Sequence, residues 1–253
     1  MRAIYEPTGA AREYAPLAVN LYRGCTHGCL YCYGPAVLRM TPEDFHASGR
    51  PRPGILDALR RDAKRRAGSP DPVLLCFTCD PYQPGEAEEE ITRQAITILR
   101  ECDIPVHILT KGGMRASRDF PLLAGPGCAF GTTLCWTDDA DRLHWEPGAA
   151  PIRDRAEAIK LAHALGIRTW VSLEPVIVPE QAVALIGDLS PWVDEWRVGK
   201  LNHHPLAEEI DWGYWTLEML RALQTSGRDY LIKESLRPYL RPTVEVERTA
   251  AVA

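Results

Sequence analysis

The sequence predicts an α/β fold, a partial (β/α) TIM-like barrel of about six βα units around a parallel sheet. From residue 70 onward, short apolar and β-favouring segments alternate with longer amphipathic ones, which is the pattern of repeated βα units. The 253 residues, 45% of them hydrophobic, suffice for one large barrel core. No segment of low complexity divides the chain, so we expect a single domain.

The predicted elements follow one another along the whole chain. Strands are expected at 17–22, 73–77, 105–109, 128–134, 168–173 and 195–199, with a further unit at 229–233. Helices are expected at 53–66, 86–101, 115–123, 151–165, 179–189 and 211–226, and Gly166 is suited to end the fourth of them. Within the domain over 1–253 we expect an N-terminal arm at 1–16, the barrel with C-terminal helices at 17–240 and a tail at 241–253.

Charge and hydropathy limit the compartment and the partners. The formal net charge is −5, which gives no overall attraction to nucleic acid. The N-terminal segment has no apolar core of a signal peptide, and no apolar segment reaches the roughly 18 residues of a membrane span. We therefore expect a cytoplasmic chain without a membrane partner, where clustered cysteines act as metal ligands or reactive thiols rather than as disulfides.

Three cysteines fall within eight positions of the segment NLYRGCTHGCLYCYGP, residues 20–35. The CxxxCxxC spacing lets one loop place Cys25, Cys29 and Cys32 at three corners of a 4Fe-4S cluster, which leaves the fourth iron without a protein ligand. An open iron can bind S-adenosylmethionine through its amino and carboxylate groups. Reduction of the sulfonium then yields methionine and a 5′-deoxyadenosyl radical.

This motif, with Tyr31 just before its last cysteine, resembles the radical S-adenosylmethionine (SAM) superfamily. The segments TCDPYQPGE, ILTKGG followed by RD, and SLEPV resemble the branch that includes spore photoproduct lyase and its short, mostly uncharacterised relatives. The resemblance extends over roughly residues 1–240. It implies a radical SAM enzyme with lyase-like chemistry, a 4Fe-4S cluster and S-adenosylmethionine as cofactors, and an electron donor such as flavodoxin or ferredoxin.

The resemblance also implies which strand ends bind the cofactor. Thr78 and Asp80 occupy the position of a motif that accepts hydrogen bonds from the methionine amino group, although an aspartate before a proline also starts turns. Lys111 corresponds to a lysine that neutralises the methionine carboxylate in the lyase branch, and the alternative is a solvated loop lysine. These alternatives stay open at the level of sequence.

Other candidates rest on their place at strand ends. Thr132, with its neighbour Thr133, is expected to meet the carboxylate or the ribose, although threonine is also a common strand residue. Glu174 and Asn202 are polar residues expected to bind ribose, adenine or substrate, alongside Tyr31 of the cluster motif. The alternative is that some of these polar groups only form hydrogen bonds with the loop backbone.

Two further cysteines are candidate catalytic residues. In the lyase branch a cysteine donates hydrogen to a substrate radical, and Cys79 and Cys135 follow the second and fourth predicted strands. The alternative is that both are small buried apolar side chains.

The substrate stays open between a small molecule, a nucleotide, a peptide and DNA. Resemblance to spore photoproduct lyase implies repair of a thymine lesion, whereas the acidic chain does not favour DNA. A different class of function, a non-catalytic iron-sulfur or zinc-binding regulatory module, would use the same three cysteines, with His27 as a fourth zinc ligand.

Overall fold

The computed structural model describes residues 2–86, 90–202 and 204–240. Nine strands lie in these ranges. In chain order they are β1 (Leu17–Val19), β2 (Tyr22–Arg23), β3 (Arg50–Pro51), β4 (Val73–Leu75), β5 (Val106–Thr110), β6 (Ala129–Thr133), β7 (Arg168–Val176), β8 (Glu195–Lys200) and β9 (Asp229–Ile232). Seven of them form one parallel sheet in the order β1-β4-β5-β6-β7-β8-β9, and β2 and β3 form a short antiparallel ribbon.

The α-helices follow the strands as βα units require. They are α1 (Gly34–Leu38), α2 (Pro42–Ala47), α3 (Ile55–Arg65), α4 (Ile91–Arg100), α5 (Asp139–Trp145), α6 (Ile152–Ala164), α7 (Pro179–Leu189) and α8 (Trp212–Ser226). The 3-10 helices are Gly9–Glu13, Gly113–Leu123, Ser190–Trp192, Pro205–Glu208 and Arg237–Tyr239. Across the described ranges, no helix combines the length and the apolar content needed to span a bilayer.

Helix α6 ends as the sequence predicts. Gly166 adopts a φ of +75°, and its N–H donates to the carbonyl of His163. The next N–H, of Ile167, donates to Ala162 at 3.1 Å. These two bonds satisfy carbonyls of the last helical turn, which is why a glycine stands at this position.

The two faces of the sheet belong to two different apolar clusters. Phe130 and Val171 lie on the outer face, within the main apolar core that the helices cover. Ala129 and Trp170 lie on the inner face, in a smaller apolar cluster of their own. Because helices cover one face and a separate, smaller cluster packs on the other, the sheet has the arrangement of an open barrel wall with β1 and β9 at its edges. The predicted α/β fold class is confirmed, and β9 is the seventh unit.

The first predicted strand is shorter than expected. Strand β1 ends at Val19, because the side chain of Asn20 turns to the neighbouring loop and its Oδ1 accepts hydrogen bonds from the backbone N–H groups of Phe77 and Thr78. The chain then enters the antiparallel ribbon, where Tyr22 pairs with Pro51. The prediction of one strand over 17–22 was therefore wrong beyond its first half.

Two predicted helices also differ. The segment expected as a helix at 115–123 is a 3-10 helix from Gly113 to Leu123 that contains Pro121, a residue without the N–H that an α-helix needs. The helix expected at 86–101 is Ile91–Arg100 in its described part. Residues 87–89 of that prediction, and the tail at 241–253, lie outside the described residues.

The inner face of the sheet offers a test of the packing. A methyl group built on Gly131 lies 2.2 Å from Cε2 of Trp170, a ring that is 1% exposed and also lies 4.3 Å from the guanidinium of Arg197. Gly131→Ala should therefore lower the free energy of unfolding by about 1–3 kcal/mol, measured by urea denaturation. The control is Gly187→Ala in α7, where nothing lies within 4 Å and helix propensity should add up to about 1 kcal/mol. Equal denaturation midpoints for the two variants would contradict this packing.

Candidate active site

A cavity of about 610 Å³ lies at the carboxyl-terminal ends of the parallel strands, where barrels place their binding sites. All but two of the residues predicted for the site line it. These are Cys25, Cys29, Cys32, Tyr31, Thr78, Cys79, Asp80, Lys111, Glu174 and Asn202. The structure therefore gathers residues from five strand ends, up to 177 positions apart in sequence, around one space.

The three clustered cysteines belong to one irregular loop. Cys25 and Cys29 are buried and Cys32 is half-buried, and no disulfide occupies them. The loop begins at Gly24, where φ is +88° and an added Cβ would lie 2.1 Å from the carbonyl oxygen of Ser48. Only glycine fits there, and it lets the chain turn sharply into the loop whose three cysteines line the cavity.

A buried ion pair stabilises the cysteine loop through Tyr31. Glu146 and Arg155 are both 0% exposed, and their Oε2 and Nη2 atoms lie 2.6 Å apart. Tyr31 donates a hydrogen bond from its hydroxyl to Glu146. Burial opposes ionisation of Glu146, but the Arg155 charge holds the pKa of that carboxyl below its ordinary value. Burial and the Glu146 charge raise the pKa of Tyr31, so the phenol stays protonated and can donate.

Backbone bonds add to the same support. The N–H of Leu30 donates to the carbonyl of Trp145 at 2.9 Å, and the N–H of Gly148 donates to His27 at 2.8 Å. The end of α5 and the segment after it therefore hold the cysteine loop at two points, Leu30 and His27.

Asp80 lies at the centre of a second network. Its Oδ1 accepts from the N–H of Tyr82 at 2.8 Å and from the hydroxyl of Thr110 at 2.6 Å. Its Oδ2 accepts from the N–H of Lys111 at 2.7 Å and lies 3.4 Å from Nδ1 of His27. Burial alone would raise the pKa of this carboxyl, but His27 and these hydrogen bonds hold it well below its ordinary value. The carboxylate of Asp80 thus already has hydrogen-bond partners within the protein. One of them, the N–H of Tyr82, forms the turn that was the alternative role of Asp80.

Lys111 is the cation that faces the cysteines. It is half-buried in the cavity wall, and its Nζ lies 5.6 Å from the centre of the Tyr31 ring. Burial would lower the pKa of this ammonium, but the negative charges on Cys29, Glu146 and Asp80 raise it above its ordinary value. Its ammonium makes no ion pair with any other part of the described chain. A solvated loop lysine would not show this burial.

Glu174 lies on the opposite wall and is already paired. The Nζ of Lys233 lies 2.6 Å from its Oε2, and the hydroxyl of Tyr14 donates to the same carboxylate. Lys233 is only 3% exposed and lies 4.3 Å from the centre of the Tyr14 ring. The hydroxyl of Tyr14 also lies 2.9 Å from Oγ of Ser172. The carboxylate of Glu174 on this wall therefore already has a protein cation as its partner.

Two predicted residues do not reach the cavity. Thr132 lies on the outer face of β6 and donates its hydroxyl to the carbonyl of Thr110, while its neighbour Thr133 lines the cavity. Side chains alternate along a strand, so only one of the two could face inward. Cys135 is 1% exposed within the main apolar core, in agreement with the alternative of a small buried side chain. Cys79 does line the cavity.

Three contributors were not predicted. His27 had been considered only as a zinc ligand, whereas Tyr14 of the N-terminal arm and Lys233 after β9 were not considered for the site. Lys233 is the last residue of the unit predicted at 229–233, and that position at a strand end was a usable signal. Tyr14 reaches Glu174 from 160 positions away, which no local pattern in the sequence reveals.

The zinc alternative gains no support from the geometry. Both ring nitrogens of His27 contact protein groups, Asp80 at 3.4 Å and the guanidinium of Arg115 at 3.3 Å. Among residues 2–86, 90–202 and 204–240, no three side chains of histidine, cysteine, aspartate or glutamate are grouped as ligands of a single metal ion. A tetrahedral zinc ion would require such a group.

Comparison with known proteins decides the family. The model of the Radical SAM superfamily matches residues 19–185, which include the cysteine loop and the strands from β4 to β7. The chain belongs to the radical SAM superfamily. Membership marks it as an enzyme, in agreement with the resemblance stated above. Curated relatives include uncharacterized proteins of Mycobacterium tuberculosis and Mycobacterium bovis, each 28% identical over 179 residues. That match covers 68% of this chain and 52% of each relative, so the chain spans about half their length.

Solved structures share the fold. Spore photoproduct lyase complexed with a dinucleoside spore photoproduct superposes with a TM-score of 0.66 at 14% identity, over 89% of this chain and 78% of that one. SuiB of Streptococcus suis bound to S-adenosylmethionine superposes with a TM-score of 0.62 at 12% identity, over 85% of this chain and 49% of that one. The radical SAM chain thus has the partial barrel that its sequence predicts.

The buried pair below the cysteine loop is open to a test. Glu146→Gln leaves the Arg155 guanidinium buried without its counter-charge and should lower the free energy of unfolding by about 3–5 kcal/mol, measured by urea denaturation. The double variant Glu146→Gln with Arg155→Met should recover part of this loss. As a control, Glu157→Gln breaks the exposed pair with Lys160 and should cost less than about 1 kcal/mol. Equal costs for the buried and the exposed pair would refute the supporting role.

Proposed function

We propose that residues 1–253 form a single radical SAM domain in which Cys25, Cys29 and Cys32 hold a 4Fe-4S cluster and S-adenosylmethionine binds across the same cavity. The observation that carries the proposal is that Cys25, Cys29, Cys32 and Lys111 all line one cavity at the strand ends. The family match agrees with it. When bound, the cluster and cofactor supply reductive cleavage of the sulfonium to a 5′-deoxyadenosyl radical.

The residues present fit a cluster of this kind. Three thiols are the soft ligands that iron-sulfur clusters take, and they share one loop without a fourth thiol at that spacing. Burial raises the pKa of Cys29 to about 12, so ligation at this sulfur releases a proton. The cation of Lys111 offsets the negative charge that the thiolates bring into the cavity.

We assign the cofactor-binding roles by position in the cavity. The ammonium of Lys111 pairs with the methionine carboxylate, since a charged donor without a protein counter-ion is the strongest partner available there. Thr78 offers a hydroxyl in the same cavity, and Asp80 positions Lys111 by accepting a hydrogen bond from its backbone N–H. On the opposite side, Glu174 and Asn202 contribute polar groups for ribose, adenine or substrate, and the ring of Tyr31 borders the cysteine loop.

Cys79 is the proposed hydrogen donor. Its side chain lines the cavity, so its S–H can transfer a hydrogen atom to a substrate radical held there. Cys135 lies within the apolar core and does not face the cavity, and we withdraw it from this role.

The substrate is a small molecule, a nucleotide, a peptide or DNA, and lyase-like DNA repair is the second candidate function. It is supported by the likeness to spore photoproduct lyase, which was solved with a dinucleoside spore photoproduct. The net charge of −5 does not favour a long DNA duplex.

We propose flavodoxin or ferredoxin as the electron donor, and the cytoplasm as the compartment. Leu30, Tyr33 and Val37 expose more than half of their surface beside the half-buried Cys32. An apolar patch next to the cluster loop suits a protein donor that must approach closely.

Loss of one cluster ligand tests the proposal directly. Cys29→Ala should lose the cluster and all 5′-deoxyadenosine formation, measured by iron content and by chromatography after anaerobic reconstitution, reduction with dithionite and addition of S-adenosylmethionine. Cys128→Ala, at a buried cysteine away from the cavity, should retain both. Adding the cofactor to the unaltered protein should shift the electron paramagnetic resonance spectrum. Retained cleavage in Cys29→Ala, or no spectral change in the unaltered protein, would favour the regulatory module instead.

The role of Lys111 has a separate readout. Lys111→Met should keep the iron content and the visible spectrum of the cluster but weaken S-adenosylmethionine binding about 10- to 100-fold, as expected for the loss of a hydrogen bond between charged groups. Lys64→Met changes an exposed lysine of α3 and is the control. Equilibrium binding measures both. An unchanged affinity in Lys111→Met would remove this residue from the cofactor site.

A further inference from the structure

A second thiol motif lies in the cavity wall. Cys76 and Cys79 form the segment CFTC directly after β4, with two residues between them. Both are buried, 5% and 9% exposed, and both line the cavity that the clustered cysteines face. In a chain that keeps its thiols reduced, a CxxC pair is a common redox motif.

The loop between the two cysteines is sharply bent. An extended chain would separate their Cα atoms by about 10 Å, too far for a disulfide, which needs about 4.4–6.8 Å. Here the consecutive N–H groups of Phe77 and Thr78 both donate to the single oxygen Oδ1 of Asn20, at 2.8 and 3.0 Å. Two neighbouring N–H groups can meet one atom only where the backbone curves around it, so the curvature brings the two ends of the loop together.

Both Cys76 and Cys79 line the same cavity from one loop. The other cysteines outside the cluster loop, Cys102, Cys128 and Cys135, do not line this cavity. Cys128 accepts a hydrogen bond from the N–H of Val106 at 3.4 Å, and Cys135 lies in the apolar core. Of these thiols, Cys76 and Cys79 share both the loop and the cavity.

We propose that Cys76 and Cys79 are a redox pair that closes to a disulfide by exchange with a small-molecule disulfide such as oxidised glutathione. One protein thiolate attacks the small disulfide and releases one small thiol. The second protein thiolate then attacks the mixed disulfide and releases the other. Two protein thiols are oxidised, two protons pass to the departing thiolates, and one small disulfide is reduced to two thiols.

Closure changes what the site can do. This consequence rests on the proposed function, in which Cys79 gives a hydrogen atom to the substrate radical. A disulfide has no S–H, so the closed form cannot donate, whereas Cys25, Cys29 and Cys32 are left as they were. The pair therefore couples hydrogen donation to the thiol redox state of the surroundings.

The test uses the unaltered, cluster-loaded protein under anaerobic conditions. It is equilibrated with mixtures of oxidised and reduced glutathione, quenched by alkylation in denaturant and digested with trypsin. Residues 67–93 form one tryptic peptide that contains Cys76 and Cys79 and no other cysteine. We expect this peptide to become unalkylated and two hydrogen atoms lighter as the oxidised fraction rises, and to revert in reduced glutathione. Cys128→Ala should behave identically, and Cys76→Ala should never form the internal bond.

Two results would overturn the pair. One is a peptide that stays alkylated on both cysteines in oxidised glutathione; the other is a stable mixed disulfide on a single cysteine. Formation of 5′-deoxyadenosine by the reduced protein, measured separately, distinguishes this failure from that of the proposed function. If 5′-deoxyadenosine forms but the disulfide between Cys76 and Cys79 does not, the redox pair alone is refuted. If the disulfide forms but 5′-deoxyadenosine does not, the radical mechanism is refuted and the redox pair stands.

Discussion

The buried carboxylate of Asp80 is the contact on which the cavity depends. It accepts hydrogen bonds from Thr110 and from the backbone of Lys111 at the end of β5, and it pairs with His27 of the cysteine loop. One side chain thus joins three separate segments of the wall. Since a buried carboxylate is costly unless every lone pair is engaged, each of these contacts supports the others. The position of Lys111 relative to the cysteines follows from this network.

A second buried charge, Glu146 with Arg155, holds the cysteine loop on its other side. The two networks differ in what they align. Asp80 joins the backbone at the end of β5 to the cysteine loop. Glu146 instead accepts a hydrogen bond from the hydroxyl of Tyr31, next to Cys32. Buried ion pairs contribute little net stability compared with apolar packing, but they tolerate only one arrangement of their partners. Such specificity suits a loop that carries three thiols at fixed positions.

The sequence was most informative where structure is local. Strands buried on both faces read as continuous apolar segments, so β4 to β9 were located within a few residues, and the spacing of Cys25, Cys29 and Cys32 identified the family. It was least informative where contacts are long-range. Nothing near Asn20 shows that its side chain ends β1 by binding a loop 57 positions later. To choose between Thr132 and Thr133 one must know which of them points into the cavity. That depends on the residue at which the preceding loop ends and β6 begins. Tyr14 and Lys233 became site residues only once the barrel brought β7 and β9 beside the N-terminal arm.

The distribution of charge in the cavity argues for the orientation of its ligand. The charge of Lys233 is balanced by Glu174 at 2.6 Å and Glu13 at 3.5 Å, and Asp80 accepts hydrogen bonds from the hydroxyl of Thr110 and the N–H of Lys111. Among the cavity-lining residues that the structure describes, Lys111 and Lys200 have no carboxylate partner. The ammonium of Lys200 contacts the hydroxyl of Tyr239 at 3.3 Å, whereas that of Lys111 lies on the side of the cysteines. An anionic group of a ligand is therefore stabilised beside the cysteine loop, and a neutral portion is favoured near Tyr14 and Glu174. An amino acid carboxylate joined to a nucleoside matches this polarity without any need for a basic protein surface, which agrees with a chain whose overall charge is negative.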